Sequence, residues 1–371
     1  MDIIRVRSRS ELRSFIRLPA RLHHGSPQYI PPLWMEERNN YTSRGNPILA
    51  NSEFELFLVL DAGGQSIGRA IAYIDWKYNA YYRSRTGFFG SFECANDPEA
   101  ASALIRTCEA WLRDRGMESV LGPIHPIAED WGFVLEGGDR DPVYLSPWNP
   151  ARYHDYFTGA GYTKAKDLLV YEADILKGYR LPDRYAELYD RFMKQYPGLR
   201  IRRLDMRRIR VDARAIWEIS NVALADNWGY VPLELPVMED MLRKLRLIVD
   251  PDAVWMAEYN GRPVGFCLGF PDINILLKRI GGRLFPIGWI RLLAGVHALR
   301  DYRLFGLAIH PDWQGKALDA LMYVHLYHHL APKNVRMEAN YILEDNHRIR
   351  NSLEKLGMDR IKTYRIYEKP L

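Results

Sequence analysis

Residues 304–330, LFGLAIHPDWQGKALDALMYVHLYHHL, followed after a short link by VRMEANYILEDN at 335–346, read as an alternating strand, a tight basic turn, an amphipathic helix and a second strand. Leu304, Leu307 and Ile309 supply the first strand's apolar character, with Ala308 among them, and Pro311 ends it. Gln314, Gly315, Lys316 and Ala317 then open a helix that runs on through Leu318, and its first backbone N–H groups have no acceptor within the helix. A phosphate seated there takes those hydrogen bonds and meets the positive end of the helix dipole. The junction is therefore an expected anion cradle.

The same plan occurs twice in the chain. ELFLVLDAGGQSIGRAIAYID at 55–75 and VWMAEYNGRPVGFCLGFPD at 254–272 each read as a hairpin, turning at Gly63–Gly64 and at Asn260–Gly261. TGFFGSFECANDPEAASALIRTCEAWLRDRGMESVLGPI at 86–124 parallels the opening stretch, and NPARYHDYFTGAGYTKAKDLLVYEAD at 149–174 parallels DNHRIRNSLEKLGMDRIKTYRIYEKP at 345–370. Gly68, Gly90 and Gly161 answer to Gly265, Gly306 and Gly357. The spacing widens at the second pair and returns at the third, so the second copy has an extra piece before Gly306 and the first copy has one before Gly161. The expected division is 1–174, a join at 175–204, and 205–371. Glu93, Asp97 and Glu99 stand at the first copy's turn, where the second has Lys316, so the first copy is read as not binding an anion there.

The composition excludes several classes. With 371 residues, 47% of them hydrophobic, each copy has enough apolar material for a core. No apolar run reaches the length of a membrane span, and MDIIRVRSRSELRSF lacks a signal peptide's hydrophobic region, so a cytoplasmic protein is expected. A net charge of +5 is mild, and no nucleic-acid motif accompanies it. Cys94, Cys108 and Cys267 are scattered and form neither a disulfide framework nor a zinc site. His325, His328 and His329 share part of a helix face without a carboxylate beside them, and no metal is expected.

The two insertions carry their own chemistry. GPIHPIAEDWGFVLEGGDRDPVYLSPWNP at 122–150 reads as a long ordered loop in which His125, Glu129, Asp130 and Trp131 are candidates to face an amine: carboxylates attract the ammonium form and an imidazole takes a proton. INILLKRIGGRLFPIGWIRLLAGVHALRDYR at 273–303 contains a basic amphipathic helix. From Ile287 onward Trp289, Ile290, Leu292, Leu293, Val296 and Leu299 fall on one face, and the 28 residues from Leu276 to Arg303 hold six Lys or Arg against Asp301 alone. Such a helix lies in a membrane interface, roofs a channel for an acyl chain, or packs on the core with its arginines solvated.

At Gln314 and Ala317 the chain resembles the acyl-CoA loop of the GCN5-related N-acetyltransferases (GNAT), with Asp319 where that pattern has a last small residue. The wider phrases GPIHP, YHDYFTGAGYTKAKDL, NWGYVP, PDINILLKRIGGRLFPIGW, YILEDN and KTYRIYEK resemble a bacterial family of duplicated acyltransferases that includes bacterial ceramide synthases. The resemblance implies an α/β fold of two tandem GNAT-like domains, each a mixed sheet flanked by helices. It further implies acylation of a sphingoid-base amine by a long-chain acyl-CoA, while the basic insertion at 276–303 leaves open a peripheral seat on the inner face of the cytoplasmic membrane.

The chemistry assigns candidates. A neutral amine attacks the thioester, the developing oxyanion needs a donor, and the amine proton needs a base. By resemblance the oxyanion donor is a backbone N–H between Leu307 and Ile309, the base is Glu338, and Asn346 lies near the CoA arm. Trp228 and Tyr230 are placed with the acceptor by the same resemblance, and Trp289 by its insertion. The family's usual tyrosine acid is replaced by Leu353, which leaves unassisted thiolate departure, Tyr341 or His125. Two rival readings stand: an N-acetyltransferase for a small soluble amine, and a CoA-sensing or membrane-docking protein without turnover.

Overall fold

The computed structural model describes residues 1–126, 130–245 and 248–371. The first copy contains β1 (Asp2–Arg5), α1 (Arg9–Leu22), α2 (Trp34–Asn40), α3 (Pro47–Ala50), β2 (Ser52–Leu60), β3 (Ser66–Asp75), α4 (Trp76–Tyr82), β4 (Thr86–Cys94), α5 (Pro98–Arg113), β5 (Ser119–Gly122), β6 (Phe133–Glu136), α6 (Arg152–Gly159) and β7 (Thr163–Asp174). After it come α7 (Arg184–Gln195), β8 (Leu199–Arg203), α8 (Ile209–Ala223), α9 (Leu235–Leu245), β9 (Val254–Tyr259), β10 (Arg262–Pro271), α10 (Asn274–Ile280), α11 (Gly288–Val296), β11 (Asp301–Ile309), α12 (Leu318–Leu330), β12 (Arg336–Leu343), α13 (His347–Lys355) and β13 (Asp359–Pro370).

The paired glycines have a common physical cause. Asn260 and Gly261 both take positive φ, 50° and 78°, as a two-residue hairpin turn requires, and Tyr259 faces Arg262 across it. Gly68 and Gly265 each sit where the hairpin register shifts, and a Cβ on either would press on a neighbour, Val59 or Ile309. Gly161 and Gly357 end α6 and α13 in the left-handed region, at φ 86° and 81°. The repeat is thus a repeat of backbone demands.

Two units form by packing. Unit 1 holds Met1–Leu168, Leu277–Trp289 and Lys362–Leu371, and unit 2 holds Leu169–Leu276 and Ile290–Ile361. In unit 1 the sheet runs β1-β2-β3-β4-β5 and is completed by the end of β13, where Tyr367 faces Gly122 and Pro370 faces Ser119. Its core joins Phe57, Phe89, Phe92, Leu104, Leu112, Phe157 and Tyr367. In unit 2 the sheet runs β8-β9-β10-β11-β12, mixed because β11 and β12 are parallel while the rest are antiparallel.

Unit 2 has helices on both faces. Trp255 and Ala257 of β9 point to the cluster with α7, α12 and α13, whereas Val254 and Met256 point to α8 and α9. Leu321 and Met322 of α12 are completely buried, each contributing roughly 1.5–3 kcal/mol of transfer free energy. The stretch 175–204 is no extended connector: Tyr185 and Phe192 of α7 enter the unit 2 core, and β8 pairs with β9.

Candidate functional site

In unit 2, β11 and β12 pair from Asp301–Arg336 to Leu304–Ala339, where their register ends. On its other side β11 is bulged at Phe305, since Leu268 faces Gly306 while Gly269 faces Leu304. The bulge reverses the alternation. Before it Tyr302 and Leu304 face the α12 core; after it Leu307 and Ile309 take that face, and Ala308 joins the α8 cluster. The His310 N–H donates to Val264 O at 2.9 Å, so by period two the Ala308 N–H also faces β10, and those of Leu307 and Ile309 face the side where β12 has parted.

The turn after β11 is built for an anion, though not at the residues expected to open the helix. Gln314 is extended and α12 begins at Leu318, so 314–317 form the approach to the helix. Gly315 and Ala317 are both left-handed, at φ 74° and 66°; for alanine this costs about 1 kcal/mol, a strain found at functional sites. Ala317 gives no side-chain cap, and Leu321 is the first residue of α12 whose N–H returns to the turn, at 3.2 Å from Ala317 O. The first-turn N–H groups of Leu318, Asp319 and Ala320 thus have no acceptor within the helix.

Gln314 braces the approach, donating to Ile309 O at 3.0 Å and accepting from Arg348 at 2.8 Å. The acid in the motif is turned aside, because Asp319 accepts from Ser352 Oγ of α13 at 3.1 Å. Exposed Lys316 lies over the Trp313 ring at 5.0 Å, and Asn346 caps α13 through Ile349 N at 3.2 Å. Lys316→Glu is expected to raise KM for an anionic donor about tenfold with kcat little changed, read from initial rates; an unchanged KM would remove Lys316 from the cradle.

A row of charge, buried at Glu338 and Glu172 and half-buried at Arg336 and Asp301, lies at the foot of the parting strands. Arg336 reaches Glu338 at 3.3 Å, Glu172 at 3.2 Å and Asp301 at 2.5 Å. Glu338 is 1% exposed and stands opposite the fully buried Arg303, whose guanidinium lies 5.2 Å from the Phe305 ring and 5.3 Å from that of Tyr341. Tyr341 is thereby on the Arg303 side of β12, although simple alternation from Glu338 puts it on the other. Burial alone pulls the Arg336 guanidinium down; Glu338 and Asp301 outweigh that and hold it above its ordinary value.

The first copy's junction is arranged differently. Asp97 caps α5 by accepting from Ala100 N at 3.0 Å, and Pro98 occupies its first turn. The Ile124 N–H donates to Phe89 O at 2.9 Å, and Gly90 packs so closely on Ile124 that a Cβ would overlap its carbonyl. Chain 123–125 therefore continues along β4. Glu93 is turned inward, to His23 at 2.6 Å and Tyr153 at 2.9 Å.

His125 belongs to unit 1, with Ser91 Oγ 2.5 Å from Nδ1 and Tyr41 OH 3.4 Å from Nε2. Burial first, then the Arg69 charge, pushes its pKa down to about 3. The folded ring is thus neutral at pH 7, and the unfolded chain binds more protons between about pH 6.5 and 3. Stability contributed by this ring is complete above that window and is lost as pH falls through it. His125→Gln is expected to flatten the acid dependence of unit 1 unfolding between pH 6.5 and 4.5; the parent slope in the variant would contradict this.

The Asp130 carbonyl accepts from His125 N at 2.9 Å and Trp131 bridges to Ile124, while Glu129 lies outside the described residues. Half-buried Trp228 and Tyr230 lie on the turn after α8, where Tyr230 OH donates to Asn221 at 2.6 Å. Trp289 begins α11 and is 45% exposed. The expected single apolar face of that helix divides, with Val296 inward and Trp289, Ile290 and Leu293 outward. Leu353 is wholly buried in the unit 2 core, His325 and His329 pack against Trp255, and all three cysteines are free and buried.

Sequence reasoning missed Arg303, Arg336, Asp301 and Glu172. The available signal was a charge at alternate strand positions, Asp301 and Arg303, and again Arg336 and Glu338.

Residues 213–358 match the acetyltransferase (GNAT) family. A bacterial ceramide synthase of Caulobacter vibrioides is 31% identical, covering 100% of this chain and 98% of that protein. Protein YghO of Escherichia coli is 30% identical over 98% of this chain and 94% of its own length. Among solved structures, a tandem GNAT protein from the clavulanic acid biosynthesis pathway aligns over 100% of this chain and 98% of its own with a TM-score of 0.57 at 11% identity, a likeness of fold.

Proposed function

Because the chain belongs to the GNAT family, in the duplicated form that includes a bacterial ceramide synthase, we propose that it transfers a long-chain acyl group from acyl-CoA to the primary amine of a sphingoid base. The family makes it an acyltransferase; the donor length and the acceptor are our assignment. The observation that carries the reading is the uncapped start of α12 beside the parting of β11 and β12. A pyrophosphate accepts from the N–H groups of Leu318 to Ala320, with Gly315 and Ala317 setting the approach and Lys316 adding charge. The capped α5 of the first copy supports assigning acyl-CoA to unit 2.

In the reaction the amine nitrogen forms a bond to the thioester carbon, the C–S bond breaks, the nitrogen loses a proton and the CoA thiolate departs. The N–H of Leu307 or Ile309 is assigned to the carbonyl oxygen, where its hydrogen bond strengthens as negative charge develops. Glu338 is assigned as the base, being the carboxylate of the charge row nearest the last strand pair. Tyr341 is assigned to the thiolate. A ring held neutral down to about pH 3 supplies no imidazolium acid at pH 7, so His125 is assigned to orienting the hydroxyls of Ser91 and Tyr41. Asp130, Trp131, Trp228 and Tyr230 are kept as acceptor candidates.

The lipid acceptor rests on the Caulobacter relative. The test is CoA release with acetyl-CoA and palmitoyl-CoA, each offered a sphingoid base and a soluble polyamine. Turnover confined to palmitoyl-CoA with the sphingoid base is expected. Turnover with acetyl-CoA and the polyamine would establish the soluble-amine reading instead, and acyl-CoA binding with no CoA released by any amine would establish a sensor.

A further inference from the structure

We propose that the loop and helix start at 283–293 form a docking face for an anionic bilayer surface. Five large apolar side chains stand out within nine residues: Phe285 is 65% exposed, Ile287 50%, Trp289 45%, Ile290 50% and Leu293 44%. Their number in so short a stretch exceeds the scattered exposure of ordinary surfaces. The other side of the same helix is spoken for, since Val296 is buried and Gly295 packs against Leu276.

The loop is held, so the apolar projection is a built feature. Trp34 N donates to Gly282 O at 3.2 Å, and its indole N–H donates to Gly281 O at 2.9 Å. Gly282 approaches Pro32 too closely to admit a Cβ, Lys278 is engaged by Pro27 O and Asp141, and Trp289 N closes the loop on Leu284 O at 2.8 Å.

Charge selects the occupant. Arg279, Arg283 and Arg291 are exposed around the apolar tip, and no Asp or Glu occurs between Asn274 and Arg300. A second copy docking by this face would bring these arginines against their own kind. A bare acyl chain has no use for them. A bilayer rich in anionic headgroups takes the rings and branched chains into its interface and the guanidinium groups at its phosphates. Among the described residues no helix is long and apolar enough to cross a membrane, so the contact is interfacial.

The proposal is independent of the acyl-transfer reading, and its test uses no activity. The full-length protein is floated with vesicles of phosphatidylcholine alone and of phosphatidylcholine with an equal part of phosphatidylglycerol, at low and high salt. The mixed vesicles are expected to carry the protein about 100-fold better, at roughly 1 kcal/mol for each of three arginines, with the advantage shrinking in salt. Arg279→Gln with Arg283→Gln and Arg291→Gln is expected to equalise the two vesicles. Phe285→Ser with Ile287→Ser and Trp289→Ser is expected to lower binding to both at least tenfold. Parent protein remaining unfloated with the mixed vesicles, or the arginine variant floating as the parent does, would overturn the proposal. So would a parent that fails to float and instead forms a dimer abolished by the serine variant.

Discussion

Glu338→Gln is expected to lower kcat by about 10²- to 10⁴-fold while leaving KM for acyl-CoA near its parent value. The substitution keeps the shape of the side chain and removes the proton acceptor beside the point where β11 and β12 part. Arg336 keeps Glu172 and Asp301 in the variant, so the strands stay anchored and the loss falls on chemistry. A structural role gives a different pattern: a lower unfolding midpoint, a raised KM and a modest fall in kcat. The two patterns separate in one experiment that measures rates and denaturant unfolding together. A variant with more than a tenth of parent kcat would remove Glu338 from the mechanism.

Arg336→Met is expected to destabilise unit 2 by about 3–5 kcal/mol, because it leaves Glu338, Glu172 and Asp301 close together without their shared cation. Two of these carboxylates are well buried, Glu338 and Glu172, so water does little to screen them. Arg336→Lys restores the charge but not the planar fork that reaches three partners, and an intermediate loss is expected. Urea unfolding followed by circular dichroism measures both. A shift below about 1 kcal/mol in the methionine variant would mean that the row is solvated and contributes as an exposed pair does.

Much of the fold was legible because its punctuation is glycine. The Asn260–Gly261 turn, the bulge glycines Gly68 and Gly265, and the helix-ending Gly161 and Gly357 each answer a backbone demand that few other residues meet. Membership of a unit was less legible, since periodicity marks a strand without naming its neighbour. The end of β13 completes the sheet of unit 1, and nothing local to KTYRIYEKP says so.

The site divides along the same line. The cradle was visible as a basic turn before a helix, but its details depend on backbone angles: α12 starts four residues after Gln314, and the left-handed Ala317 carries no sequence signature. Asp319 stands where the loop pattern has a small residue, and its partner Ser352 lies on another helix. The charge row was hidden because Glu172 comes from β7, far in sequence from Asp301 of β11 and Arg336 of β12, and each charge alone reads as an ordinary polar strand position. Simple alternation from Glu338 puts Tyr341 on the other side of β12 unless a bulge intervenes, and its ring lies 5.3 Å from the Arg303 guanidinium.

Amide formation from acyl-CoA on a lipid amine is read from the mass of the product. The purified protein is given equimolar palmitoyl-CoA and sphinganine, and the lipid extract is analysed by mass spectrometry beside a thiol assay of free CoA. N-palmitoyl-sphinganine is expected in equal amount to the CoA released. Palmitate with free CoA and no amide, or an amide obtained with acetyl-CoA and a soluble amine alone, would contradict it.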